Sequence, residues 1–470
     1  MQAAKLDGFR AIWRKCHVTL SAELNEKLSR VGPGTPCGEL MRRYWHPIAA
    51  TAELANRPTR RVRILGEDLV LYRDESDRLG LIEEPCAHRR VSMYYGIPEA
   101  HGLRCPYHGW LYDEQGNCLE QPAEPGSSSF KDKIKLKAYP VQEMGGLIWA
   151  YLGPDPAPLL PRYDEFVWDD AVRSISATVL PVNWLQIMEN SFDATHVEWM
   201  HGYYSAYVNA VEDGRAFDRD APSALRRHHT RIGFDVWEHG ILKRRVEEGG
   251  SEADDDWRVG HTVVFPYMLG NPTLQIRVPI DDTHTWHIWY TASRPGVPVP
   301  AQDPVPFMEM PWQKPDGDIV TNFVDGQDIM AFVTQGEIAR RELERLGQSD
   351  VGIIFFRQVL QDEIEKVERG EEPMNVIRDP AKNAIIELPR ERVHHGGVRQ
   401  FDRQQGRVTP SDGTNGTNGT AVRQGGRPTP PESRELLRRL REEAAARGIE
   451  PVESPAFEIT PIRAVAVDLK

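Results

Sequence analysis

Between residues 61 and 153 the apolar positions come in short runs bounded by glycine and proline. The stretch Arg61-Val-Arg-Ile-Leu-Gly-Glu-Asp-Leu-Val-Leu-Tyr-Arg73 alternates in places and is rich in β-branched and aromatic residues. That pattern predicts a hairpin turning at Gly66-Glu67-Asp68. Runs at Gly80-Leu-Ile, Gly109-Trp-Leu-Tyr and Gly146-Leu-Ile-Trp-Ala-Tyr-Leu repeat the signal and predict a small all-β domain. Gly153-Pro-Asp-Pro-Ala-Pro158 marks its end.

Beyond residue 175 the pattern changes. Strand-like runs at Ser174–Leu180, Thr262–Phe265, Thr273–Pro279 and Thr285–Ala292 give way to helical periodicity over Asp328–Gly347 and Gly352–Gly370. An antiparallel sheet with helices on one side, an α+β domain, is expected. Residues 402–431 are rich in Gln, Gly, Thr and Pro and read as a flexible linker. Glu432–Arg447 reads as a charged amphipathic helix closed by Gly448. The expected division is a lead-in over 1–40, a β domain over 41–155, an α+β domain over 156–400, a linker over 401–431 and an appendage over 432–470.

Composition narrows the classes. The 470 residues are 40% hydrophobic and 27% charged, which excludes a mainly disordered or fibrous chain. The net charge of −13 argues against nucleic acid or an anionic membrane as partner. No apolar run reaches membrane-spanning length, and the first twenty residues lack a signal-peptide core, so a cytoplasmic protein is expected. Five cysteines, Cys16, Cys37, Cys86, Cys105 and Cys118, are too few and odd for a disulfide framework. Cysteine kept in such a chain often serves metal or catalysis.

Two of them sit in matched surroundings. Cys86-Ala-His88 and Cys105-Pro-Tyr-His108 each follow a predicted strand. Two thiolates and two imidazoles bind zinc or a [2Fe–2S] cluster. Zinc fingers group their cysteines together and their histidines together. Here each loop carries one of each, which suits a cluster with two cysteines on one iron and two histidines on the other. Trp110 can cover such a cluster.

These motifs resemble those of the Rieske non-haem iron aromatic-ring oxygenases, in the branch of phthalate 4,5-dioxygenase and the aromatic O-demethylases. Val31-Gly-Pro-Gly-Thr-Pro, Arg43-Tyr-Trp-His-Pro, Leu65-Gly-Glu-Asp-Leu-Val and Gly102-Leu-Arg-Cys-Pro-Tyr-His-Gly-Trp carry the same likeness, which spans about residues 25–395. The resemblance implies an N-terminal all-β Rieske domain followed by a catalytic domain of antiparallel sheet plus helices, of helix-grip type.

A second constellation lies in Asn183-Trp-Leu-Gln-Ile-Met-Glu-Asn-Ser-Phe-Asp-Ala-Thr-His-Val-Glu-Trp-Met-His-Gly202, which holds Asp193, His196 and His201. Histidines five apart diverge by roughly 140° on a regular α-helix. A local π-turn or a helix break can bring them to one metal. Taken alone they are equally readable as surface histidines. The spacing resembles the family's mononuclear iron motif, and two histidines with one carboxylate leave positions open for O₂ on Fe(II). Asp328, opening a predicted helix, is the choice for the carboxylate, with Asp325 as competitor. By resemblance Asp193 bridges His108 of a neighbouring subunit to His196 or His201, and Asn190 lines the iron site.

The resemblance further implies a homotrimer, and a separate reductase or ferredoxin passing electrons from NAD(P)H to the cluster. It implies a small aromatic acid or ether as substrate, with a lean to O-demethylation over cis-dihydroxylation. Arg244 reads either as a carboxylate clamp or as part of a solvated basic edge strand. His228 and His229 read as surface residues. A Rieske electron carrier and a zinc-stabilised binding module are the competing functions.

Overall fold

A computed structural model describes residues 19–390 except 222, 224, 271 and 272, together with 429–449, 452, 459 and 461–469. Cys16, most of the expected linker and part of the lead-in lie outside the described residues.

The alternating stretch forms the hairpin Thr59–Ile64 and Glu67–Arg73. Its turn is Leu65-Gly66, one residue earlier than the pattern suggested, with φ of 48° and 77°. A two-residue turn with both residues left-handed matches the twist of the paired strands, and glycine fits its second position without strain. Leu79–Glu83 and Ala138–Tyr139 complete a four-stranded sheet. A second four-stranded sheet, of Ile97–Glu99, Gly102–Arg104, Leu111–Tyr112 and Cys118–Glu120, shares a small core with the first around Tyr72, Ile82, Met93, Leu103, Trp110 and Tyr112. A three-stranded sheet of Trp45–Ala50, Leu147–Tyr151 and Val141–Met144 links this half to the next. The hairpin turn also touches it, since Leu65 and Gly66 donate to the carbonyls of Pro279 and Ile280.

The larger half is a nine-stranded sheet. Its order is Phe307–Glu309, Val172–Leu180, Thr285–Ser293, Leu274–Pro279, Met268–Leu269, His261–Val264, Gly240–Glu247, His229–Trp237 and Arg463–Asp468. Neighbours are antiparallel except at Phe307–Glu309, which runs parallel to Val172–Leu180. The helices Trp184–Phe192 and Val351–Glu368 meet the sheet where Phe192 packs on Phe234 and Phe356. The α+β expectation therefore holds.

Three local expectations change. The helix read from Asp328 to Gly347 runs over Val324–Thr334 and stops at Gly336, whose φ is 91°. Beyond it only a short turn at Arg341–Leu343 is helical, because Arg341 is drawn into a buried ion pair with Glu189. Arg244 is neither a clamp nor an edge residue. Its strand is internal, and its guanidinium is buried against Asp235 and the carbonyls of Trp257 and Arg258. The C-terminal segment, read as an appendage whose helix could dock on the body or contact a neighbour, docks on the body and adds a strand to it. Helix Pro431–Ala446 packs Leu440 and Ala444 against Val172 and Val297, and Arg463–Asp468 pairs with His229–Trp237 as the last strand.

Candidate metal centres

Helix Trp184–Phe192 opens with Asn183, whose side chain caps the backbone of Leu185. It ends at Asp193, which turns the chain with three hydrogen bonds. The Asp193 Oδ1 accepts from the Thr195 backbone at 2.8 Å, the Thr195 hydroxyl at 3.0 Å and the His196 backbone at 3.3 Å. Directly after it Val197–Tyr204 is a π-helix. Its i→i+5 pattern brings residues five apart onto one side, which a regular helix cannot do. His196 and His201 thereby face each other with ring centroids 5.2 Å apart.

Both Nε2 atoms point to one carboxylate oxygen from the neighbouring helix. The Asp328 Oδ1 lies 3.3 Å from His201 Nε2 and 3.6 Å from His196 Nε2. The Asn190 amide donates to the same oxygen at 3.1 Å. Bonds of about 2.1 Å at right angles hold donor atoms about 3 Å apart, so this set has the dimensions of a metal site. It is the one such group found among the described residues. Asp325 points elsewhere, its Oδ1 accepting from Gln275 at 3.2 Å and Trp289 at 3.0 Å. His196 Nδ1 lies 3.5 Å from Asp193 Oδ2.

The two Cys-His loops share one backbone plan. The Cys86 amide donates to the Val91 carbonyl, and the Arg90 amide returns to the Cys86 carbonyl. Cys105, Trp110 and Gly109 repeat the arrangement with the same offsets. The fifth residue of each loop, Arg90 and Gly109, is left-handed at 61° and 74°. Both cysteines are buried while His88 is exposed and His108 half-buried. The imidazoles meet with centroids 4.5 Å apart, and Trp110 stacks on His88 at 4.5 Å and 6°. The backbone amides of Tyr107 and His108 lie on Cys105. Two sulfurs within, two imidazoles toward the surface and amides on a sulfur fit a [2Fe–2S] cluster with mixed ligands.

Residues 44–140 match the Rieske [2Fe-2S] domain, and residues 318–387 match a family described as LigXa C-terminal domain like. The chain is 43% identical over 387 residues to the 5,5'-dehydrodivanillate O-demethylase oxygenase subunit of a Sphingobium species, covering 81% of this chain and 88% of that one. It is 33% identical over 400 residues to the phthalate 4,5-dioxygenase oxygenase subunit of Pseudomonas putida, covering 75% and 88%. The chain belongs to the Rieske non-haem iron oxygenases. The terminal oxygenase of carbazole 1,9a-dioxygenase from Nocardioides aromaticivorans shares the fold, with a TM-score of 0.50 at 21% identity over 73% of this chain and 96% of that one. The oxygenase thus works with a Rieske cluster, a mononuclear iron, O₂ and electrons from a reductase. No helix among its described residues is long and apolar enough to cross a membrane.

The charges around the oxygenase's two centres differ. Burial works against the Asp328 carboxylate, but His201, His196 and Asn190 hold it low. Burial likewise opposes Asp193, and His196 and the Thr195 groups more than offset it. Burial works against protonated His201, yet Asp328 and Gln327 raise it. The Cys105 thiol is raised by burial and by the adjacent Cys86, against the pull of the Tyr107 and His108 amides. Bound metal would reverse that, since a coordinating thiol is deprotonated.

Two residues near the His196, His201 and Asp328 group had no clear sequence signal. Gln327 holds His201 Nδ1 through its Oε1 at 2.9 Å. His229, read as a surface residue, is buried at 2% exposure. A bulge between His229 and Arg231 breaks the strand's alternation and turns the ring inward. Burial, Arg245 and Lys243 push it down to about 4. His228 is the exposed one of the pair.

Proposed function

We propose that this oxygenase O-demethylates a methoxylated aromatic acid. The observation that carries the reading is the 43% identity, over most of both chains, to a relative named for O-demethylation. In this reading Cys86, Cys105, His88 and His108 hold the cluster, and His196, His201 and Asp328 hold the iron. The two centres, when loaded, supply one-electron transfer and O₂ activation. Asp328 contributes one negative charge and a face with open positions. Asn190 fixes the carboxylate's rotamer, and Asp193 fixes the ring of His196. Trp110 stacks on the imidazole of His88 and covers one of its faces.

The overall reaction consumes O₂, two electrons and two protons. One oxygen enters a methoxy C–H bond and the other leaves as water. The resulting hemiacetal loses formaldehyde and leaves a phenol. Positioning of the methyl carbon, rather than the ligand set, selects this outcome over ring dihydroxylation. The second reading, cis-dihydroxylation of a phthalate-like acid, rests on the 33% relative.

The assembly belongs to the same proposal. A ring of three chains would place each His108 against Asp193 of the next chain. Supporting it, the Asp193 side chain is 24% exposed, and a cavity of about 510 Å³ lined by Thr195, Glu198, Trp199 and His229 opens beside it.

Turnover with a compatible reductase and NADH tests the function. Formaldehyde released in step with substrate-dependent O₂ uptake is the expected result. A dihydrodiol with no formaldehyde overturns it in favour of the second reading.

A further inference from the structure

Gln327 is fully buried on helix Val324–Thr334, adjacent to Asp328. The orientation of its amide follows from its two contacts. Its Nε2 donates to the Thr321 carbonyl at 3.1 Å. A carbonyl only accepts, so that end of the amide must be the NH₂ group. The Oε1 therefore faces His201 Nδ1 at 2.9 Å. An amide oxygen also only accepts, so Nδ1 must carry the hydrogen. In the neutral ring Nε2 is then left with its lone pair, aimed at the Asp328 oxygen 3.3 Å away.

We infer that Gln327 is a positioning residue that makes His201 a metal ligand, by locking its imidazole in the tautomer whose Nε2 lone pair faces Asp328. The inference rests on the reading that His196, His201 and Asp328 hold the iron. Two electron-pair donors turned toward one carboxylate oxygen repel one another unless a cation lies among them. The Thr321–Gln327–His201 chain fixes that arrangement in advance.

The other imidazole is held differently. His196 Nδ1 faces the Asp193 carboxylate, a charged group reaching the surface. His201 instead has a neutral partner sealed from water. An imidazole facing a carboxylate is the more basic ligand, and one hydrogen-bonded to a neutral amide the less. A neutral partner also adds no negative charge to the buried site. His196 and His201 are therefore not equivalent ligands, and Gln327 is where they diverge.

The test uses the full chain with its cluster in place and the mononuclear iron removed by chelation. Fe(II) is then titrated anaerobically, and the cluster absorbance reports on folding throughout. Gln327→Met keeps length and burial but removes both hydrogen bonds, and Gln327→Leu repeats the comparison in another shape if the first variant fails to fold. Gln327→Glu keeps an acceptor for Nδ1. Loss of Fe(II) affinity by about 10–100-fold is expected for Gln327→Met or Gln327→Leu. Gln327→Glu is expected to bind no more weakly than wild type. Wild-type affinity in Gln327→Met, or equal losses in Gln327→Met and Gln327→Glu, overturns the inference. So does a lowered Tm with unchanged Fe(II) affinity, the mark of a merely structural residue. Failure of the wild-type chain itself to take up Fe(II) beyond its cluster refutes the underlying ligand reading instead.

Discussion

Glu189→Gln tests how the helix that carries Asn190 is anchored. Glu189 precedes Asn190 on helix Trp184–Phe192, and its carboxylate is buried. Arg341 grips it with two bonds of 2.8 Å, and Arg357 adds one of 2.6 Å. Arg357 has a second carboxylate, Glu344, at 2.8 and 2.9 Å. The remaining contacts of Arg341 are neutral, to Asn25 at 2.9 Å and Ser29 at 3.3 Å. Removing the Glu189 charge thus leaves Arg341 as a buried cation without a counter-charge, which costs about 3–5 kcal/mol.

The proton equilibrium gives an independent figure. Burial opposes the charged form, but Arg341 and Arg357 hold Glu189 down at about 2, against an ordinary 4.5. At about 1.4 kcal/mol per pH unit that fall corresponds to about 3–4 kcal/mol. The folded value is the lower one, so this stability is fully present above pH 4.5 and is lost as the pH falls toward 2. Urea unfolding of the loaded protein at pH 7 reads the effect. Glu189→Gln should lose about 3–5 kcal/mol and be less acid-sensitive than wild type below pH 4.5. Adding Arg341→Met should recover about half or more of that loss, because Arg357 keeps Glu344. A change of under about 1 kcal/mol in Glu189→Gln, or no recovery in the double variant, refutes the reasoning.

One further substitution and one truncation address electron transfer and aggregation. Asp193→Asn should keep both metal centres yet lose about 10–100-fold in coupled turnover, read as NADH-dependent product per iron. Unchanged turnover would remove Asp193 from the electron path. A chain ending before Arg463 leaves His229–Trp237 as an exposed edge. Light scattering should show it aggregating more readily than wild type, because an uncovered strand recruits other strands. Equal solubility would mean that Arg463–Asp468 contributes little to the sheet.

The paired geometry of the two Cys-His loops was legible because their chemistry is local. Each Cys and His stand two or three residues apart, and strands on both sides hold the loop. The spacing of His196 and His201 posed a geometric problem that a π-helix solves, so the local departure from a regular helix could be foreseen from five intervening steps. What could not be read depends on distant partners. Arg341 sits in a segment with helical periodicity, and its burial against Glu189, 152 residues away, overrides that local preference. The inward turn of His229 follows from a bulge that its own alternation does not reveal. The last strand did carry a signal in Arg463-Ala-Val-Ala-Val-Asp468. Its partner lies more than two hundred residues earlier, so nothing local separates the run from an appendage.

In the proposed function one chain carries two different iron centres, one held by the Cys-His loops and one by His196, His201 and Asp328. Iron and acid-labile sulfide per chain, measured in wild type and in Asp328→Ala, test it most directly. About three irons and two sulfides are expected in wild type, and about two of each in the variant with its cluster spectrum unchanged. Zinc in place of iron, or the same iron content in both proteins, would contradict it.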